Sequence, residues 1–190
     1  MASRKTKLQA VNTLLTTIGE AETTTITGSV PYEVSLAETI LDEVVAELCS
    51  DSYVFNTEKD ITLTPDVSNN INIPANYIQI RDLAQEYVIR SGGLLYSMQA
   101  KSLVFTSAIT VEVVYLLDFE DLPEAAKAYV AIRASRVFAD RMVGSKDIRA
   151  FTERDEIEAK AKLMSYESGI DRLNMLNDSA SVSFIHNRTI

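Results

Sequence analysis

Apolar side chains recur every three or four residues in two segments near the start of the chain, which predicts two amphipathic helices. The first segment covers residues 8–18, and Gly19 ends its pattern. The second begins at Ser35, and Glu38 follows three residues later, a spacing typical of a capping box. The polar, threonine-rich residues 20–34 between the two segments predict a long surface loop.

The pattern changes between residues 58 and 117, where short alternating or β-branched runs replace the helical period. Turn-forming residues separate these runs, among them Pro65, Asn69–Asn70, Pro74–Asn76 and Gly92–Gly93. The two glycines lie between apolar runs, which predicts a β-hairpin at that point. We therefore expect an antiparallel β region inserted into a helical chain.

Residues 118–145 predict a third helix with signals at both ends. Asp121 is placed to cap its start, and Pro123 and Glu124 form its first turn. Gly144 is placed to end it. The same segment has no histidine, cysteine or glycine-rich loop that could carry catalysis. We therefore expect this helix to position protein surfaces.

Three arginines lie among the apolar residues of this helix: Arg133, Arg136 and Arg141. Arg136 and Asp140 are spaced as an i,i+4 ion pair. Arg133 and Arg141 can contact carboxylates of a neighbouring helix or subunit, where a guanidinium forms two hydrogen bonds at once. The alternative is that the arginines extend along the helix into water. We name all three as candidates for a subunit or partner interface.

A fourth helix is predicted to begin at Ser145. Glu156–Lys160 and Glu158–Lys162 are favourable i,i+4 pairs within it. Its apolar face is predicted to contain Ile148, Phe151, Ala159, Leu163, Tyr166 and Ile170.

The C-terminal residues 174–190 have no periodic pattern, so a tail is expected there. Three apolar residues in it exceed what a solvated linker needs, and we expect them to contact a partner or an adjacent subunit: Val182, Phe184 and Ile185.

Together these elements predict an α+β fold that is mainly α. Residues 1–57 and 118–173 are expected to form a helical bundle. Residues 58–117 are expected to form the inserted antiparallel β region, and residues 174–190 an extended C-terminal tail.

Composition supports a folded protein, since 46% of the residues are hydrophobic and 24% are charged. The net charge of −9 argues against binding to nucleic acid through a basic surface. Cys49 is the single cysteine, which excludes an intrachain disulfide and predicts a small buried side chain. No apolar run approaches the roughly 20 residues that span a bilayer. We therefore expect a soluble protein, made in a cytoplasm and not associated with membranes.

The side chains that carry catalysis or bind metals are sparse. His186 is the single histidine and lies in the tail, so no histidine-based nucleophile system is supported. The carboxylates of residues 153–158 are distributed around a helix and indicate a solvated face rather than a metal site. No phosphate-binding glycine motif occurs. We predict no catalytic residue, no metal and no cofactor.

The aromatic residues of the β region could stack on bases, but the residues around them are neutral or acidic. We expect them to form the sheet core or to contact protein. They are Tyr53, Phe55, Tyr77, Tyr87, Tyr96 and Phe105.

Several short motifs, in this order and spacing, resemble the tail tubular protein A family of short-tailed bacteriophages. They are Phe55–Glu58, Leu63–Asp66, Ile73–Asn76, Leu122–Glu124 and the helix pattern from Ile132 to Gly144. The likeness extends from the first helix to about Asn177. One departure is Ser52–Tyr53, where the family often has Gly-Trp, so the packing ahead of the first strand is expected to differ in detail.

The resemblance implies a helical bundle with an inserted β region and a dodecameric ring that acts as the head-to-tail adaptor. It also implies three protein partners: the portal, the tail nozzle (tail tubular protein B) and tail fibres. The protein would be part of the virion, and an acidic channel would let DNA slide through without specific binding.

Two other functions remain open at this stage. One is a different non-enzymatic helical-bundle virion protein, such as a head-completion factor or fibre adaptor. The other is a metal-dependent hydrolase that would use carboxylates of the fourth helix, Glu156 among them.

Overall fold

The computed structural model describes residues 4–82, 87–90, 92–144 and 146–178. In its last helix the side chains of residues 153–170 are described. The helices are α1 (Lys7–Thr17), α2 (Tyr32–Ser50), α3 (Glu124–Met142) and α4 (Lys146–Asp178). The strands are β1 (Thr57–Leu63), β2 (Tyr77–Arg81), β3 (Tyr87–Arg90), β4 (Leu94–Ser97) and β5 (Ile109–Tyr115). Short 3-10 turns cover Val54–Asn56 and Phe119–Asp121.

The chain forms two compact units, and the predicted α+β class with mainly helical content is confirmed. The described parts of residues 1–44 and 119–190 form the helical unit, and Val45–Asp118 form the β unit. The expected boundaries of the insert, residues 58 and 117, lie close to the start of β1 at Thr57 and to the end of β5 at Tyr115. The prediction that an extended tail begins at residue 174 is wrong, because residues 174–178 are helical and continue the fourth helix. Residues 179–190, the rest of the predicted tail, lie outside the described residues.

In the helical unit, α3 packs against both α1 and α4. The α1 helix ends before Gly19, whose φ of 84° is the left-handed conformation that favours glycine. Its start is a reciprocal capping box. The Thr6 hydroxyl accepts a hydrogen bond from the Gln9 backbone N–H, and the Gln9 side-chain oxygen accepts one from the Thr6 backbone N–H. Lys7 Nζ lies 2.9 Å from both Glu38 Oε1 and Asp42 Oδ2, and so connects α1 to α2.

The prediction that Ser35 caps α2 is wrong, because the helix begins three residues earlier at Tyr32. The Ser35 amide already donates to the Pro31 carbonyl at 3.2 Å, so Ser35 lies within the first turn. Proline is tolerated at a helix start, and the early start lets Val34 pack into the core.

The prediction that Asp121 caps α3 is also wrong. Asp121 belongs to the 3-10 turn that precedes the helix, and Pro123 is the cap residue, with no side-chain hydrogen bond. The predicted end is correct, since Gly144 has φ +65° and its amide donates to the Ala139 carbonyl at 3.1 Å.

The fourth helix begins at Lys146, immediately after the predicted start, and its backbone stays helical to Asp178. Ala159 and Leu163 are buried as expected, but Tyr166 is exposed because it lies at the edge of the apolar stripe. The side chains of the other predicted face residues near its start, Ile148 and Phe151, lie outside the described residues.

The β unit contains a three-stranded antiparallel sheet in the order β1–β5–β2, and an antiparallel pair of β3 and β4. The predicted pairing on either side of Gly92–Gly93 is confirmed, and both glycines have positive φ. The register of β1 shifts between Glu58 and Ile61, where Asp60 has φ +61°. The buried core of this unit consists of Leu63, Ile71, Ile73, Ile80, Tyr87, Leu95, Phe105, Val111 and Val113.

Aromatic residues of the β unit pack on one another, as expected for a sheet core or a protein contact. The rings of Tyr87 and Phe105 lie in the core with their centroids 6.1 Å apart. The rings of Tyr77 and Tyr115 pack edge-on with their centroids 4.9 Å apart.

Cys49 is buried as predicted, and burial raises the pKa of its thiol.

We predict that Gly93→Ala lowers the free energy of unfolding more than Gly92→Ala does. Both substitutions place a side chain at positive φ, at a cost of about 1–2 kcal/mol. A Cβ at Gly93 would also lie 3.1 Å from the Ile73 carbonyl oxygen, whereas a Cβ at Gly92 meets nothing within 4 Å. Chemical denaturation of the two variants measures the difference, and equal losses would contradict a steric role for the Ile73 carbonyl.

Candidate functional site

Two of the three candidate arginines converge on one carboxylate within the same chain. Arg133 Nη1 lies 2.7 Å from Glu156 Oε1, and Arg136 Nε donates to Glu156 Oε2. The side chains of Arg133, Arg136 and Glu156 are 24%, 21% and 13% exposed. Arg136 also lies 3.8 Å from Asp140, the i,i+4 pair predicted from the spacing. We call Arg133, Arg136 and Glu156 the arginine–glutamate cluster; it connects α3 to α4.

The electrostatics of this cluster favour the ionised form of Glu156. Burial alone raises the pKa of Glu156, but hydrogen bonds and charges from Arg136 and Arg133 outweigh it and hold the pKa below its ordinary value. The expected Glu156–Lys160 pair is therefore replaced by contacts with α3. An i,i+4 pair contributes only about 0.2–0.5 kcal/mol, so a partly buried bond to two guanidinium groups outcompetes it.

The third arginine has a separate partner. Arg141 Nη2 lies 3.0 Å from Glu43 Oε2 of α2, and both side chains are about half exposed. An ion pair with this exposure contributes little to stability, about 0–1 kcal/mol. Arg141 and Glu43 are therefore accessible to a partner at low energetic cost.

Two carboxylates at the start of α3 bind backbone amides of the N-terminal segment: Glu120 in the preceding 3-10 turn and Glu124 in the first turn of the helix. Glu120 Oε1 accepts the Lys7 amide at 2.8 Å, and Glu124 Oε2 accepts the Lys5 amide at 3.2 Å. The other oxygen of Glu124 lies 3.4 Å from Lys127 Nζ. These carboxylates thus fix the N-terminal segment against the start of α3.

Sequence reasoning missed Lys127, whose side chain is only 1% exposed. Its ammonium group lies 5.9 Å from the ring centroid of Phe119, in addition to its contact with Glu124. The sequence does contain a signal for this burial: Lys127 stands three residues after Glu124, a possible ion partner, and alanines flank it on both sides. A buried lysine needs such partners because an unpaired buried charge costs several kcal/mol.

Within the part of the chain that the structure describes, neither a metal-binding cluster nor a membrane-spanning helix is present. Among the described residues, no group of three or more histidine, cysteine or acidic side chains is placed to hold a metal ion. His186 and the tail residues Val182, Phe184 and Ile185 lie outside the described part of the chain. No helix within the described ranges is long and apolar enough to span a membrane.

The outer face of α4 exposes apolar residues that the sequence pattern did not single out. Ile157 and Met164 are seven residues apart, both are exposed, and Ala161 lies between them on the same face. This α4 outer face lies on the same helix as Glu156, which points inward. The arginine–glutamate cluster and the buried Ala159 and Leu163 together leave these side chains on the outward face of α4.

Comparison with known proteins gives a consistent result over both units. The sequence model of a family described as "Tail tubular protein" matches residues 8–173. A curated relative, "Tail tubular protein A" of Klebsiella phage KP34, is 29% identical over 181 residues, which cover 93% of this chain and 91% of that protein.

We predict that Glu156→Gln destabilises the helical unit by about 1–3 kcal/mol. This range lies between the value for an exposed ion pair and that for breaking a buried one. Chemical denaturation at neutral pH measures the effect. Glu158→Gln is the matched control, because Glu158 is exposed and lies 3.7 Å from Arg154 on the same helix. Equal stability of the two variants would contradict a structural role for the arginine–glutamate cluster.

The stability difference between the unmodified protein and Glu156→Gln is also expected to depend on pH. The folded-state pKa of Glu156 lies below its ordinary value of 4.5. The contribution is therefore fully present above about pH 4.5 and is lost as the pH falls through the folded-state pKa. Denaturation curves at about pH 7 and about pH 3 test this. A difference that grows on acidification would contradict the assignment.

Proposed function

The chain belongs to the tail tubular protein family, and on that premise we propose that it is a head-to-tail connector of a short-tailed phage virion. Membership makes it a structural protein of the phage tail. The proposal goes further: a dodecameric ring joins the portal to the tail nozzle protein, seats tail fibres and leaves a passive channel for DNA. The match over residues 8–173 carries the proposal, since it includes parts of both units.

The arginines enter this proposal in two ways. Arg141 is half exposed and its partner Glu43 is equally accessible, so we propose Arg141 as a direct contact with a neighbouring subunit or partner. Arg133 and Arg136 bind Glu156 within the chain, so we propose that they support assembly by holding α4 in place. The tail residues Val182, Phe184 and Ile185 remain a proposed contact with a partner, on the basis of their sequence.

The acidic composition supports passage of DNA without capture. The chain has 27 acidic residues against 18 lysines and arginines. A surface lined by carboxylates repels phosphate, whereas binding requires cationic side chains that displace counterions.

The geometry argues against the hydrolase alternative but does not separate a connector from another helical virion protein. A hydrolase that used Glu156 as a metal ligand would have to remove this carboxylate from two guanidinium groups. A head-completion factor or fibre adaptor would share the helical architecture, so position in the particle must distinguish it from a connector.

We expect the full chain, co-expressed with its portal protein, to form ring-shaped particles bound to one face of the portal. Negative-stain images show the ring, and mass measurement gives its copy number.

A truncated chain that ends at Asp178 lacks the proposed tail contact. It should bind the portal more weakly than the full chain does and have the same thermal stability. Monomers that attach to fibres without the portal would support the fibre-adaptor alternative and contradict the connector.

We also expect no measurable binding of duplex DNA to the isolated protein at physiological salt. The net charge of −9 leaves no excess of cations to release counterions from phosphate. A gel-shift titration at low and physiological salt measures this. Binding in the micromolar range that weakens steeply with salt would contradict a passive channel.

A further inference from the structure

One buried amide in the β unit joins two distant parts of the chain. Asn56 is the last residue of the 3-10 turn before β1, and it is 2% exposed. Its Nδ2 donates to the Cys49 carbonyl at 2.8 Å and to the Tyr115 carbonyl at 2.9 Å. An amide nitrogen carries two hydrogens, so it can serve one carbonyl with each.

The two carbonyls lie where the chain enters and leaves the β unit. Cys49 is in the last turn of α2, the helix on which the chain enters the unit at Val45. The last four carbonyls of a helix have no partner within it, so the amide also caps α2. Tyr115 is the last residue of β5, three residues before the unit ends at Asp118.

The other atom of the amide indicates why asparagine is suited to this position. Asn56 Oδ1 is buried and has no hydrogen-bond partner among the described residues. Leaving a buried acceptor unsatisfied costs about 1–3 kcal/mol. Asparagine is therefore useful here for its two donors, which an aspartate or an aliphatic side chain of similar size lacks.

Neighbours in the same motif reinforce the connection. The Thr57 hydroxyl donates to the Tyr53 carbonyl at 2.7 Å, which fixes the 3-10 turn that carries Asn56. The Tyr115 hydroxyl donates to Glu58 Oε2 at 3.0 Å, which connects β5 to β1 directly. Residues 56–58 of the Phe55–Glu58 motif thus all act on the junction of α2, β1 and β5.

We propose that Asn56 is a positioning residue that closes the β unit, by fastening the end of α2 to the end of β5 so that both open together. This inference concerns the free chain and does not depend on the connector function. It accounts for the Phe55–Glu58 motif, to which no catalytic chemistry is assigned.

Hydrogen exchange on the full chain tests the proposal. The probes are the Ser52 amide, which donates to the Cys49 carbonyl, and the Leu116 amide, which donates to the Asn76 carbonyl. In Asn56→Ala both should exchange faster by on the order of tenfold or more, while the Leu95 amide inside the unit changes less. Uniform acceleration of all three amides, or none, would overturn the proposal.

Two further variants separate the hydrogen bonds from general destabilisation. Thr57→Val keeps a β-branched residue and removes the adjacent side-chain hydrogen bond, so it should leave the Ser52 and Leu116 amides closer to their original rates than Asn56→Ala does. Asn56→Asp keeps the size but replaces the donor with an acceptor that faces two carbonyls. Retained protection of both amides in Asn56→Asp would refute the donor argument.

If Asn56→Ala does not fold, the unmodified chain still provides a test. Exchange measured in increasing sub-denaturing urea should show the Ser52 and Leu116 amides opening in one step, with the same dependence on urea. Openings at different urea concentrations would show that the two ends are independent and would overturn the proposal.

Discussion

The helical unit depends on one carboxylate that two arginines share across a helix interface. Glu156 connects α4 to α3, and α3 also packs against α1. Among the described side chains of α4, residues 153–170, the buried apolar ones are Ala159 and Leu163, so apolar packing in that stretch forms a narrow stripe. The partly buried guanidinium–carboxylate contacts supply direction as well as energy, because their geometry is specific. This contact and the burial of Ala159 and Leu163 together leave Ile157 and Met164 on the exposed face.

Carboxylates perform a similar structural task at the other end of α3. Glu120 accepts a hydrogen bond from the Lys7 backbone amide, and Glu124 accepts one from the Lys5 backbone amide. Glu124 also forms an ion pair with the buried Lys127. Part of the acidic character of the chain thus serves internal connections. These internal connections and the proposed repulsion of phosphate both fit a structural protein of the phage tail.

The β unit is organised by hydrogen bonds at its turns and ends as well as by its apolar core. Asp66 accepts the Ser68 and Asn70 amides and the Asn72 side chain, and these bonds lower the pKa of Asp66. Asn56 performs the corresponding task at the junction of α2 and β5. Both residues belong to motifs on which the family resemblance rests, which gives those motifs a physical meaning without catalysis.

Local patterns in the sequence determined the type and order of the elements. The helical period and Gly19 predicted α1 correctly, Gly92–Gly93 predicted the β3–β4 hairpin, and Gly144 predicted the end of α3. These signals succeed because periodicity and positive φ act over a few residues. Tertiary structure decided the partner of Glu156, the burial of Lys127 and the early start of α2, which buries Val34. Charged side chains choose among partners that only the packing of helices brings near, and local pairs worth a few tenths of a kcal/mol cannot resist a better-placed guanidinium.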